Sequence, residues 1–230
     1  MNIPTLAEFE DAAAVLDDVV VKTPFDVSEH LTDVLGAPVY LKLENLQRTG
    51  SFKIRGATYR LSRLTAEERA RGVVAASAGN HAQGVALAAQ KLGISATIFM
   101  PLGVPVPKLL ATRGYGAEVI LEGATVETPL RLAAEFAERT GAVLIHPFDH
   151  RDVIIGQGTL GLELWDALPE LDTVIVGIGE LQCAVQLGLG SLHAPDLRLP
   201  LAGHDRAEID GIGLRDGATV VDGAASLAAR

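Results

Sequence analysis

The sequence predicts an α/β fold in which a parallel sheet carries helices on both faces. Three observations carry this. From Gly72 onward, short apolar runs alternate with amphipathic segments of roughly 10–15 residues. Several of those segments stop at a glycine, which closes helices in the left-handed conformation. Hydrophobic residues make up 48% of the 230, enough to bury a sheet on both sides.

The elements read in order as follows. Leu6 to Val19 is an amphipathic helix that gives way to the extended Val20–Pro24. Ser28 to Leu35 is a short helix stopped by Gly36, and Val39 to Leu43 is a strand. A helix opens on Ser51 as its cap and runs to about Leu64, with Ile54, Ala57, Leu61 and Leu64 at helical spacing. Thr65 and Glu68 have the spacing of a capping box. Val73–Ala76 is a strand, His81–Leu92 a helix, Ala96–Met100 a strand and Lys108–Arg113 a helix. Glu118–Leu121 is a strand. Thr128 caps a helix with Pro129 in its first turn, which ends at Gly141. Ala142–Ile145 is a strand, Asp152 caps a helix ending near Leu168, and Thr173–Val176 is a strand.

Composition narrows the function. Nineteen Lys and Arg against twenty-nine Asp and Glu give a formal net charge of −10, which argues against nucleic acid or an anionic membrane as partner. The one cysteine, Cys183, excludes an internal disulfide and suits a reducing, cytoplasmic setting. The acidic first residues do not read as a signal peptide. No apolar run approaches the roughly 20 residues of a membrane-spanning helix.

The chemistry centres on Leu41–Ala57, which reads as a strand, a polar turn and a helix start. Lys53 falls in the first helical turn, at the positive end of the helix dipole and among apolar neighbours. Both conditions favour the neutral amine, a nucleophile able to hold a carbonyl cofactor. A lysine so placed is more often a solvated surface charge. A second stretch, Ser77-Ala78-Gly79-Asn80-His81-Ala82-Gln83-Gly84, joins a strand to a helix. Such a junction offers backbone N–H groups to an anion, although alone it also fits an ordinary turn.

Together these two stretches resemble the threonine/serine dehydratases, pyridoxal-phosphate enzymes of the tryptophan-synthase-β fold type. The resemblance extends through Ile98–Lys108, Thr112–Val119, His146–Asp149 and Gly156–Glu163. It implies a two-domain fold type II architecture, with a discontinuous large domain (1–69 plus 148–230) and a small α/β domain (70–147). It implies that Lys53 holds pyridoxal 5'-phosphate and takes the substrate's α-proton. Phe52 would pack near the cofactor ring and Asn80 would bond its phenolic oxygen. Ser77, Gly79, Asn80 and His81 would bind the carboxylate of a small amino acid. The related racemases carry a serine where this chain has Ala78, so elimination is expected over racemisation. His81 and the Asn45–Thr49 context speak against the cysteine-synthase-type relatives. His146 and His150 read as loop residues rather than metal ligands, because Pro147 prevents a helix between them.

The resemblance weakens towards the end. The family cradles the cofactor phosphate in a four-glycine run. Here the segment is Gly177-Ile178-Gly179-Glu180-Leu181-Gln182, leaving Gly177 and Gly179, with Glu180 adding an unfavourable charge. The C-terminal part reads as abbreviated, with fragments of later segments such as Asp196–Leu199 and Gly217–Gly223 brought close together. A shortened, redesigned or decayed relative all fit. An abbreviated sheet exposes apolar edges, which predicts a homo-oligomer. The expected reaction is β-elimination and deamination of L-threonine or L-serine to a 2-oxo acid and ammonia. The alternative is a catalytically inert scaffold or binding protein with the same fold.

Overall fold

The computed structural model describes residues 3–176. Gly177, Gly179, Glu180, Cys183 and the later fragments lie outside the described residues.

Helix α1 (Leu6–Leu16) opens on a capping box: the Thr5 hydroxyl accepts from the Glu8 N–H, and the Glu8 carboxylate accepts from the Thr5 N–H at 2.8 Å. It buries Phe9, Ala12 and Leu16. Strand β1 (Phe25–Val27) leads to α2 (Glu29–Leu35), capped by Ser28 and closed by Gly36 at φ 70°. Strand β2 (Tyr40–Lys42) then pairs antiparallel with β1, with Asp26 opposite Leu41. This ribbon stands apart from the purely parallel pairing that the sequence pattern suggests. Two 3-10 turns, Glu44–Leu46 and Arg48–Gly50, lead to α3 (Lys53–Ser62). Thr49 (φ 65°) and Gly50 (φ 71°) are both left-handed, so the chain reverses sharply before the lysine. Helix α4 (Ala66–Arg71) carries the Thr65–Glu68 capping box expected of it.

A four-stranded sheet follows: β3 (Val73–Ala76), α5 (Asn80–Leu92), β4 (Ala96–Met100), α6 (Val106–Gly114), β5 (Glu118–Leu121), α7 (Glu127–Thr140) and β6 (Val143–Leu144). Its order is β5-β4-β3-β6 and every pair is parallel, with Val73 opposite both Ala96 and Val143. The alternation of strand side chains sorts the core into two layers. Val73, Ala75, Ile98 and Met100 face Ile54, Ala57 and Leu61 of α3 and Val85, Ala88 and Ala89 of α5. Val74, Ala76 and Phe99 face Ala133 and Phe136 of α7, where the Phe99 and Phe136 rings meet edge-on at 5.8 Å. Truncating fully buried Ile98 to Ala would cost about 2–5 kcal/mol. The last helix among the described residues, α8 (Arg151–Ala167), crosses α3 where Gly56 and Gly156 meet. A Cβ on Gly156 would lie 2.7 Å from the Arg55 carbonyl oxygen.

Several expected boundaries are corrected. Ser51 does not cap α3. Phe52 occupies the cap position in helical geometry, with no side-chain bond, and the buried Ser51 hydroxyl has no partner. Thr128 does not cap α7, because it already lies inside the helix and its side chain packs on Gly123. His150, not Asp152, caps α8: its Nδ1 accepts from the Asp152 N–H at 3.1 Å, while the Asp152 carboxylate reaches Arg60 at 3.2 Å. Thr173–Val176 is not a strand. No described strand pairs with it, and an apolar run without a ladder partner has no reason to be one.

Candidate active site around Lys53

The turn at Thr49–Gly50 delivers Lys53 as the first residue of α3, 5% exposed. Its Nζ donates to the Pro147 carbonyl at 3.2 Å and lies 5.2 Å from the centre of the Phe52 ring. Burial pulls the amine down from 10.5 to about 8. A substantial fraction is therefore neutral near physiological pH, as a nucleophile or proton acceptor requires.

The Ser77–Asn80 stretch follows the carboxyl end of β3, where ligands bind in parallel α/β sheets. The Ser77 hydroxyl accepts from the Gly79 N–H at 3.1 Å and tightens the turn. Gly79 is the cap residue of α5 and makes no side-chain cap, so the first turn of that helix is left open to a ligand. Asn80 is exposed at the start of the helix. The His81 ring points inward instead. Its Nε2–H donates to the Ile145 carbonyl at 2.9 Å. Burial holds its pKa down at about 4, against the opposing Ile145 bond. The ring is thus neutral and occupied, and His81 can reach a ligand only through its backbone N–H.

Gly84, one turn further along α5, ties the two stretches together. A Cβ there would lie 3.1 Å from the Lys53 carbonyl carbon and oxygen, so the backbones of α5 and α3 meet where the lysine emerges. The structure therefore brings Phe52, Lys53 and the Ser77–His81 loop into one region. Gly177 and Gly179 are not described.

Sequence reasoning missed other participants. His146 lies close enough to Lys53 for the two charges to interact. Burial lowers its pKa, and its Nδ1 accepts from the Asp149 N–H at 2.8 Å. Half-buried Lys108 reaches back from α6 to the loop, its Nζ 2.9 Å from where a Gly79 Cβ would stand. Behind Lys53, Arg55 is 1% exposed and bonds Glu44 and Glu163, while Lys42 bonds Glu163 and the Thr23 carbonyl. No short-range pattern flags such a cluster, because Arg55 and Glu163 lie far apart in the chain. Among the described residues no group of three or more His, Cys, Asp or Glu could hold a metal ion.

The chain resembles known proteins over most of its length. The family model for pyridoxal-phosphate dependent enzymes matches residues 16–204. An L-threonine ammonia-lyase of Thermotoga maritima is 53% identical over 175 residues, covering 76% of this chain and 44% of that protein. The processed threonine deaminase isoform 2 of Solanum lycopersicum superposes with a TM-score of 0.78 at 40% identity, over 84% of this chain and 58% of that one. Maize serine racemase superposes with a TM-score of 0.79 at 36% identity, over 84% and 59%. The chain spans about half the length of the curated relatives it matches.

Proposed function

This chain belongs to the pyridoxal-phosphate dependent enzymes, of fold type II, and we propose that it eliminates water from L-threonine or L-serine and that water then adds back to the resulting imine, releasing ammonia and a 2-oxo acid. The observation that carries the proposal is the buried Lys53 amine, with its pKa drawn down to about 8 beside the Ser77–Asn80 loop.

The residues present fit the family's cofactor. Lys53 offers an amine that loses its proton easily. The neighbouring Ser51 hydroxyl is buried without a protein partner, which a bound polar group would relieve. Pyridoxal phosphate, when bound, supplies an electron sink for charge developing at the substrate α-carbon. Lys53 would hold it, Phe52 would pack beside it and Asn80 would bond it, with Gly177 and Gly179 on its phosphate. Lys53 Nζ would also be the base that accepts the α-proton. Ser77, Gly79 and the backbone N–H groups at Asn80 and His81 orient the substrate carboxylate. Ala78 has no hydroxyl to return a proton from the opposite face, so the bound acid is eliminated rather than racemised.

The same reading takes residues 1–69 plus 148–230 as the large domain and 70–147 as the small one. It places the enzyme in the cytoplasm as a homo-oligomer, an assembly favoured by exposed Val34 and Leu35 on α2. Among the described residues no helix is long and apolar enough to cross a membrane. A catalytically inert relative is the second reading, favoured by the Gly177–Gln182 segment, whose sequence keeps two glycines and adds the negative charge of Glu180. The two separate in one experiment: titrate the protein with pyridoxal phosphate, reduce with borohydride and map the modified peptide, then assay 2-oxo acid formation. A single adduct on Lys53 with 2-oxo acid release supports the enzyme. An adduct without turnover supports the inert relative. Adducts spread over surface lysines would sink both.

A further inference from the structure

We propose that Lys108 is a specificity-determining residue that binds the α-carboxylate of the substrate across Gly79. This rests on the reading of the Ser77–His81 loop as the carboxylate site.

Three observations carry it. First, the end of the Lys108 side chain lies against the loop. A Cβ on Gly79 would stand 2.9 Å from Lys108 Nζ, 3.8 Å from its Cδ and 3.9 Å from its Cε. The end of the side chain thus lies along the loop, in space that a Cβ at position 79 would crowd. Second, among the described residues no carboxylate or carbonyl accepts from Nζ, although the side chain is half-buried and Lys108 sits in the first turn of α6. A cation there lies at the wrong end of the helix dipole. An ammonium held in such a place without an acceptor is poised for an anion that arrives from outside. Third, the chain carries a formal net charge of −10, so a cation at the loop stands out against the general field. A lysine at the loop reverses the local sign where the carboxylate must settle.

A bare turn offering N–H groups would accept any small anion or carbonyl. Adding a point charge makes a free carboxylate a requirement, and discriminates against amides, esters and amino alcohols of the same shape. Lys108 would act on binding rather than on the α-proton, which belongs to Lys53. Losing one charge-assisted bond raises a dissociation constant roughly tenfold or more.

The test uses the full chain and L-alanine, which carries no β-leaving group, beside alaninol, which lacks the carboxylate. Reductive methylation of Lys108 is followed by peptide mapping with each probe. L-Alanine is expected to slow it severalfold and alaninol to leave it unchanged. In turnover, Lys108→Ala is expected to raise KM for L-threonine roughly tenfold with kcat within about twofold, and Lys108→Arg to recover most of the loss. Equal effects of the two probes, or an unchanged KM in Lys108→Ala, would overturn the proposal, as would protection by L-aspartate alone, which would assign Lys108 to a side-chain carboxylate. Failure of the wider reading shows itself separately. A chain that releases no 2-oxo acid, yet whose Lys108 L-alanine protects, keeps the carboxylate contact and loses the activity. A chain that turns over threonine with Lys108 unprotected does the reverse.

Discussion

Arg55 and Glu44 face each other through two hydrogen bonds, Nε to Oε2 and Nη2 to Oε1, each 2.9 Å long. Glu163, 108 residues further along the chain, binds the same guanidinium at 2.7 Å. Burial opposes the charge on Arg55, but the two carboxylates outweigh it and hold its pKa above the ordinary value. Replacing Arg55 with Met takes the charged partner from Glu44 and leaves Glu163 with Lys42 alone, and a loss of about 3–5 kcal/mol is expected in urea unfolding. Arg55→Lys should recover only part of this, because an ammonium cannot make the paired bonds.

The contact between α3 and α8 has no room for a methyl group. In Gly156→Ala the new Cβ meets the Arg55 carbonyl oxygen at 2.7 Å and the Gly56 Cα at 2.9 Å, both backbone atoms that cannot rotate away. Destabilisation of about 1–3 kcal/mol is expected, read as a lower thermal midpoint. Gly103→Ala, where nothing lies within 4 Å, serves as the control.

Burying Lys53 costs stability. The folded pKa is about 8 against 10.5 in the ordinary state, so the unfolded chain holds more protons between those values. Below pH 8 the cost is at its full size, and it fades as pH rises towards 10.5. Lys53→Met should therefore be more stable than the parent at neutral pH, by roughly 1–3 kcal/mol, while abolishing any specific cofactor adduct. Chemical unfolding across that range should show the gap closing. A gap that stayed constant would mean that burial of the charged amine is not its source.

His81 makes the protein sensitive to acid. Its folded pKa of about 4 lies below the ordinary 6.5, so the unfolded state takes up a proton first as pH falls. Stability should drop between pH 6.5 and 4 and then level off. In His81→Gln that part of the slope should vanish, whatever the variant loses at neutral pH. Urea midpoints collected across the window would measure it.

The centre of the sheet was legible because β3 and β4 are buried on both faces and read as uninterrupted apolar runs, and β5 followed from its apolar Val119–Leu121 between turn residues. Val73–Ala76, Ala96–Met100 and Glu118–Leu121 match the expected limits residue for residue. Helix starts were less legible. A cap depends on which hydroxyl or imidazole reaches a backbone N–H, and His150 took a role that spacing assigned to Asp152. Thr173–Val176 has the composition of a strand but lacks a described partner, and pairing is a property of two segments rather than one. In the site, Lys53 and the Ser77–His81 loop were visible as motifs. The inward turn of His81 and the reach of Lys108 were not, because each depends on a neighbour brought near only by folding: Ile145 for the one, Gly79 for the other.

Helix α3 carries the buried amine of Lys53 at its first residue, the paired guanidinium two residues on, and the crossing glycine one residue beyond that. A helix turns about 100° per residue, so these three functions point in fixed and different directions from a single rod. Inserting or deleting one residue between Lys53 and Gly56 would swing the amine by more than a right angle while the crossing stayed where it was. Side chains in this segment are open to exchange one at a time, but its length is not. Among descendants of this chain, gaps should accumulate in surface loops such as the one around Gly103 and never within these four positions.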